Sequence, residues 1–172
     1  KKCQKIIEKD ILESYNFGSI VSSSKKLKNL GYTSQAYARN INFFYINNLN
    51  QRHRIIKEGE FYNIGDEKIN KYDLVNRISN NIQNFSSNVL LTPLIKEKLL
   101  PNIGVVCGPS EISYWLQLKE TFYNNKIVFP VIIPRNSVLF INKFLTDKIT
   151  KLKIKLDDLF LDTDSLITKW LN

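Results

Sequence analysis

Two short apolar runs, Ile103 to Cys107 and Val128 to Ile133, constrain this chain more than any other feature. Each has the length of a strand, and between them Ile112, Trp115, Leu116 and Phe122 recur at helical spacing. The first run breaks at Gly108-Pro109-Ser110 and the second stops at Pro134-Arg135. Strand, tight loop, helix, strand is the βαβ unit of a parallel sheet. It predicts strands buried on both faces and a ligand site beyond their C-termini.

The loop between the first strand and the helix has chemistry of its own. Gly108 allows positive φ or the close approach of a ligand, and Pro109 fixes the local φ. Ser110 is a good N-cap. The first N–H groups of the helix then favour an anion over the strand ends. Glu111, in the first turn, either complements the helix dipole or grips an amine or hydroxyl. The loop is neither GxGxxG nor a P-loop, so it indicates no dinucleotide or Walker-type site.

Around this unit the patterns are mostly helical. Cys3, Ile6, Ile7 and Ile11 predict a helix over residues 1–15, and a second runs from about Ser19 to Leu30 with Gly31 as its left-handed terminator. From Tyr32 to Ile64 the texture changes to three short strands split by Asn47-Asn48 and Glu58-Gly59, with Gly65-Asp66 after the last, an antiparallel meander inserted on the parallel sheet. Asn70, with Asp73 three residues on, caps a helix carrying Leu74, Val75, Ile78 and Ile82. Phe85 to Leu91 reads as a loop entering a short extended piece. Thr92-Pro93 reads as N-cap and first helical residue of a helix ending at Leu99-Leu100. Ile141, Phe144, Leu145, Ile149 and Leu152 form another amphipathic helix, and two helical pieces close the chain.

The chain of 172 residues suits one sizeable core. No run approaches the roughly 18 apolar residues of a membrane span, and the N-terminus has no signal-peptide core. Cys3 and Cys107 lack CxxC partners, so no zinc site or disulfide framework is indicated, and a reduced cytoplasmic setting fits. The net charge of +9 is spread among asparagines and isoleucines without a basic helix interleaved with aromatics, which disfavours nucleic acid. His53, between Arg52 and Arg54, has no orienting carboxylate in sequence and reads as a surface residue. Methionine is absent and both ends fall inside helical patterns, so a piece of a longer protein is expected.

Several strings then carry a resemblance. Phe85-Ser86-Ser87-Asn88-Val89, Thr92-Pro93-Leu94, Leu100-Pro101-Asn102 and Phe129 to Ser137 surround the most specific one, Gly108-Pro109-Ser110-Glu111-Ile112-Ser113-Tyr114-Trp115-Leu116-Gln117-Leu118-Lys119. Together with Leu30-Gly31-Tyr32, Arg39 to Tyr45 and Glu58 to Tyr62, they resemble the bacillithiol biosynthesis cysteine ligase family, BshC, over roughly residues 25 to 165. The resemblance implies an α/β fold, half of a Rossmann-like parallel sheet with a small antiparallel β insertion and flanking helices. The segments would be a helical lead-in (1–31), the β insertion (32–69), the second half of the Rossmann-like core (70–140), and helices leading toward a truncated, dimerising coiled coil (141–172). Three departures stand out. The family's first Rossmann half is absent, Ser110 replaces an expected glycine, and Cys107 stands where glycine or alanine is expected.

The implied reaction is a carbon–nitrogen ligation of L-cysteine to glucosaminyl malate, driven by ATP, in a cytoplasmic homodimer. The nucleotide site would lie mostly outside this chain, which alone is expected to be inactive. The resemblance and the loop physics together nominate substrate-binding residues. The Gly108, Pro109 and Ser110 backbone would hold the malyl carboxylate or a phosphate, and Glu111 the cysteine ammonium or a sugar hydroxyl. Tyr114 and Gln117, one turn apart, would hydrogen-bond the sugar, and Arg135 would take a bidentate carboxylate or phosphate. Asn88 and Asn136 would supply amide contacts. An internal Glu111–Arg135 ion pair is the structural competitor. Catalytic residues and metal ligands are not identified, and Cys107 reads as a small buried hydrophobe before a nucleophile. A non-catalytic substrate-binding or scaffolding protein and a tRNA-binding or RNA-binding module are the alternative functions.

Overall fold

A computed structural model describes residues 1–171. The chain divides into two compact units, Lys1–Arg135 and a second from Asn136 onward.

In the first unit, α1 (Gln4–Glu13) buries Ile6, Ile7 and Ile11 and ends where Ser14 turns left-handed at φ 52°. Helix α2 (Phe17–Asn29) comes next, and Gly31 lies in the left-handed region at φ 88°, where a side chain would be strained. The expected three-strand meander is a larger sheet. Strands β1 (Phe43–Ile46), β2 (Arg52–Glu58), β3 (Phe61–Ile64) and β4 (Glu67–Asn70) are joined by β5 (Phe85–Ser87) in the order β4-β3-β2-β1-β5, all antiparallel. Strand β5 returns after helix α3 (Lys71–Asn80) to lie beside β1, with Tyr45 opposite Phe85 and their rings edge-to-face at 5.4 Å. No local pattern reports a pairing forty residues apart. Asn70 caps α3 as expected, accepting from Asp73 N at 2.9 Å. Ile82 falls in a 3-10 turn beyond the helix end. Helices α1 and α3 pack on the sheet, which contributes Phe43, Ile55, Tyr62, Ile64, Ile69 and Phe85 to the core.

A buried polar hub ties these elements together. Asp10 is fully buried and accepts from Asn42 N at 2.7 Å, Asn16 Nδ2 at 3.0 Å and Asn42 Nδ2 at 3.4 Å. Asn88 Nδ2 donates to Asn42 Oδ1 and Asn125 Nδ2 to Asn16 Oδ1, extending the hub to both ends of the unit. Burial pushes the Asp10 carboxyl up, and these donors oppose it.

The parallel element is a pair, β6 (Gly104–Cys107) and β7 (Val131–Pro134), in register from Gly104 opposite Val131 to Cys107 opposite Pro134. The sheet structure is therefore mostly antiparallel, a correction to the parallel half-sheet expected. Nor is the pair buried on both faces, since Val106 and Val131 are 61% and 63% exposed. Between the strands, the single helix expected is two, α5 (Pro109–Leu116) and α6 (Lys119–Asn124). The chain tightens at Gln117 and Leu118, whose N–H groups reach back three residues to Tyr114 O and Trp115 O. This turns Leu116 outward and brings Leu118 and Phe122 inward. Phe122 lies 5.1 Å from Phe129 and 5.8 Å from Trp115.

Two cap assignments also change. Gly108, not Ser110, is the N-cap of α5. For α4 (Thr92–Leu99), Thr92 is the first helical residue, and Asn88 Oδ1 accepts from Leu90 N and Leu91 N in the turn before it.

The second unit comprises α7 (Lys143–Lys151), a 3-10 turn over Leu156–Phe160 and α8 (Thr163–Leu171). Within it, Trp170 Nε1 donates to Leu152 O and Lys169 pairs with Asp158 at 2.7 Å.

Candidate active site

The parallel ladder ends where Arg135 N donates to Cys107 O at 2.8 Å, so Gly108 and Arg135 are the first residues beyond the two strand C-termini. Gly108 is buried and its φ of −72° is ordinary, so its role is space and not backbone freedom. A Cβ placed there would lie 2.8 Å from Arg135 Nη2 and 3.5 Å from Glu111 Oε2. Glycine is what lets the guanidinium and carboxylate close over one backbone position.

Glu111 turns back on its own helix, with Oε2 accepting from Gly108 N at 2.8 Å. Glycine has no side chain, so this is half of a capping box. The carboxylate thus takes the anion position that the helix start offers. Its other oxygen, Oε1, has no donor among the described residues, and no ion pair forms with Arg135 there.

Beside this corner is a cleft of about 450 Å³ between α4, β6 and α5. Glu111, Tyr114 and Trp115 form one wall, and Thr92, Lys96 and Glu97 the other. The Tyr114 phenol is pushed up, chiefly by burial and further by Glu111 and Cys107, and stays a neutral hydroxyl that can donate. Burial, then Glu111, also pushes the Cys107 thiol up, and at 1% exposure it is a packed hydrophobe and not a thiolate.

Glu97 was not singled out from sequence. It is 4% exposed, with Oε2 accepting from Asn102 N and Oε1 from Asn102 Nδ2, both at 2.8 Å. The available signal was a carboxylate three residues after the core Leu94, at an inward helical position. Lys96 beside it is exposed and supplies the cleft's one cation among the lining residues.

The nominated residues therefore separate. Gly108, Glu111 and Arg135 meet at the strand ends, and Glu111 and Tyr114 share the cleft. Pro109 and Ser110 are exposed on the first turn of α5. Gln117 does not line the cleft. It is fully buried, its amide nitrogen donating to Ser24 Oγ and Ala36 O, so it holds α5 to α2 and the loop after it. Asn88 is committed to the polar hub and the turn before α4. Asn136 is exposed and begins the second unit. His53 is half-buried, with Nε2 3.1 Å from Asn47 Nδ2 and its ring against Gly65. Among the described residues no cluster of three or more His, Cys, Asp or Glu could hold a metal ion, and no helix is long and apolar enough to cross a membrane.

Comparison with known proteins gives one family. Residues 1–136 match the model described as bacillithiol biosynthesis BshC, N-terminal Rossmann-like domain. A relative from Flavobacterium psychrophilum, named "Putative cysteine ligase BshC", is 36% identical over 163 residues, 94% of this chain and 30% of the relative. Proteins of the same name from Christiangramia forsetii and Natranaerobius thermophilus are 32% identical over 162 residues and 36% over 151. They cover 93% and 84% of this chain, and 30% and 27% of the relatives. The chain thus spans about 30% of the length of the first relatives it matches. With 136 of its residues matching the model of the family's N-terminal Rossmann-like domain, this chain belongs to the BshC family.

Proposed function

We propose that this chain is the substrate-side part of a ligase that joins L-cysteine to glucosaminyl malate, the last step of bacillithiol biosynthesis. The observation that carries the reading is the corner formed by Gly108, Glu111 and Arg135 at the parallel strand ends, inside two of the strings by which the chain resembles the family. Glu111 Oε1 accepts from the cysteine ammonium or a sugar hydroxyl. The Tyr114 hydroxyl donates to a sugar oxygen, and the Arg135 guanidinium holds the malyl carboxylate. Holding both substrates in line is the main contribution such a corner makes to rate.

ATP is the proposed energy source, and it would supply the activation of an acyl carboxyl. The α5 N-terminus suits its phosphates poorly, because the Glu111 carboxylate turns back onto Gly108 N and puts a negative charge at the helix start. The phosphates are therefore assigned to other parts of the full-length protein. A cytoplasmic location and a homodimer of the full-length protein complete the proposal.

Glu111→Gln in the full-length protein is the test, because a glutamine oxygen can still cap Gly108 N while the charge is lost. Condensation of cysteine with glucosaminyl malate is expected to fall about tenfold or more, the scale of one charge-assisted hydrogen bond. Wild-type turnover in that variant removes Glu111 from the site. Binding of either substrate by the wild-type protein without ATP-dependent product would overturn the ligase reading in favour of a binding or scaffolding role.

A further inference from the structure

A second cavity, of about 660 Å³, shares no residue with the cleft and lies between the α1–α2 corner, the loop before β1 and strand β2. Its polar wall is cationic. Arg39, Arg54 and Lys57 line it, and no Asp or Glu does. Among the described residues neither guanidinium has an ion-pair or hydrogen-bond partner, and Lys57 only overlies the Tyr62 ring at 5.9 Å. Its apolar wall comprises Ile11, Phe17, Ile41 and Ile55, of which Ile11 and Ile55 are core residues.

The loop carrying Arg39 is held in place. Asn42, fully buried, accepts from Arg39 N at 3.3 Å and donates to Arg39 O at 2.8 Å, while Asp10 fixes Asn42 in turn. All three cations are exposed, so solvent screens their repulsion, but no carboxylate among the lining residues offsets their charge. Guanidinium groups suit oxyanions in particular, and a volume of this size accommodates a small organic molecule.

We propose that this cavity binds a small organic oxyanion, a carboxylate or phosphate attached to an apolar body. The charged end would sit on Arg39, Arg54 and Lys57, and the apolar end against Phe17 and Ile41. This site stands apart from the ligase reading, and either can fail without the other.

The test titrates the full-length protein by calorimetry with phenyl phosphate, benzoate, inorganic phosphate and phenol. Saturable binding of one aromatic anion, about tenfold tighter than inorganic phosphate and phenol, is expected, and the stronger of the two identifies the headgroup. Arg54→Ala and Arg39→Ala should each weaken it about tenfold or more, while Lys28→Ala, on the exposed end of α2, should leave it unchanged. Lys57→Gln replaces either arginine variant that melts early. Absent saturation, inorganic phosphate binding as tightly as phenyl phosphate, or indifference to all three substitutions overturns the proposal. So does single-stranded RNA that displaces the probe with steep salt dependence, which would make the cavity part of a nucleic-acid surface.

Discussion

The five antiparallel strands and the two parallel ones occupy the same compact unit, yet they are finished to different degrees. Strands β1 to β4 succeed one another through short connections, Gly59-Glu60 and Gly65-Asp66 serving as two-residue turns with glycine first, at φ 59° and 62°. Helices α1 and α3 cover one face, and the outward positions of β2 and β4 are largely charged. An antiparallel sheet is stable in that state, with one face wet. The parallel pair needs a crossover to exist at all, and α5 and α6 supply it along with the cover for one face, through Trp115, Leu118 and Phe122. Its other face presents Val106, Val131 and Ile133. Parallel sheets are usually covered on both faces. The first region is complete by local rules and the second is not.

The largest effect that would test this contrast falls on the aromatic cluster behind the parallel pair. Phe122→Ala, at a site with no exposure and two ring neighbours, should cost about 3–5 kcal/mol in urea unfolding. A loss near 1 kcal/mol would mean that the crossover helices hardly stabilise the pair. Asp10→Ala should come next, at about 2–4 kcal/mol, because it strands buried donors on Asn16 and Asn42 at the junction of α1 with the antiparallel region. The smallest is Glu67→Gln, which removes the fork that Arg77 makes from α3 to β4. Solvent around Glu67 limits the cost to about 0.5–1 kcal/mol at neutral pH. Arg77 holds the Glu67 carboxyl below its ordinary 4.5, so the contribution is full above that value and is lost as pH falls through the lowered one. Parallel stability–pH curves for the two proteins would show that the fork contributes nothing.

The same contrast explains what could be read from the amino acids. Signals that act within a few residues were legible. Asn70 with Asp73 gave a cap, Gly31 a left-handed terminator, and the two apolar runs around Gly108 gave the βαβ unit. Features decided by distant partners were not. Phe85–Ser87 becomes a strand only because β1 offers an edge, and Gln117 looks like a partner of Tyr114 only while the helix is taken to continue past Leu116. Once the chain tightens there, Gln117 turns into the core and reaches Ser24 and Ala36 instead. Asn88 was singled out for its string, but its side chain is spent on Asn42 and the turn before α4. Of the nominated site, the Gly108–Glu111–Arg135 corner was legible because both strands point to it. Glu97 was not, since a helix pattern alone does not reveal which carboxylate meets an asparagine five residues on.

The last rung of the parallel ladder has a consequence for how the gene can vary in length. Val131 N and Arg135 N donate to the same side, to Ile103 O and Cys107 O, so Pro134 between them turns its missing N–H away from β6, and the bond from Arg135 N anchors the chain there whatever the length of the connector. Residues inserted after Asn136 therefore cannot slide the strand register or drag Arg135 away from Gly108. The connector beyond is free to lengthen or shorten, whereas a single residue added between Val131 and Arg135 would move the side chains on one side of it to the opposite face.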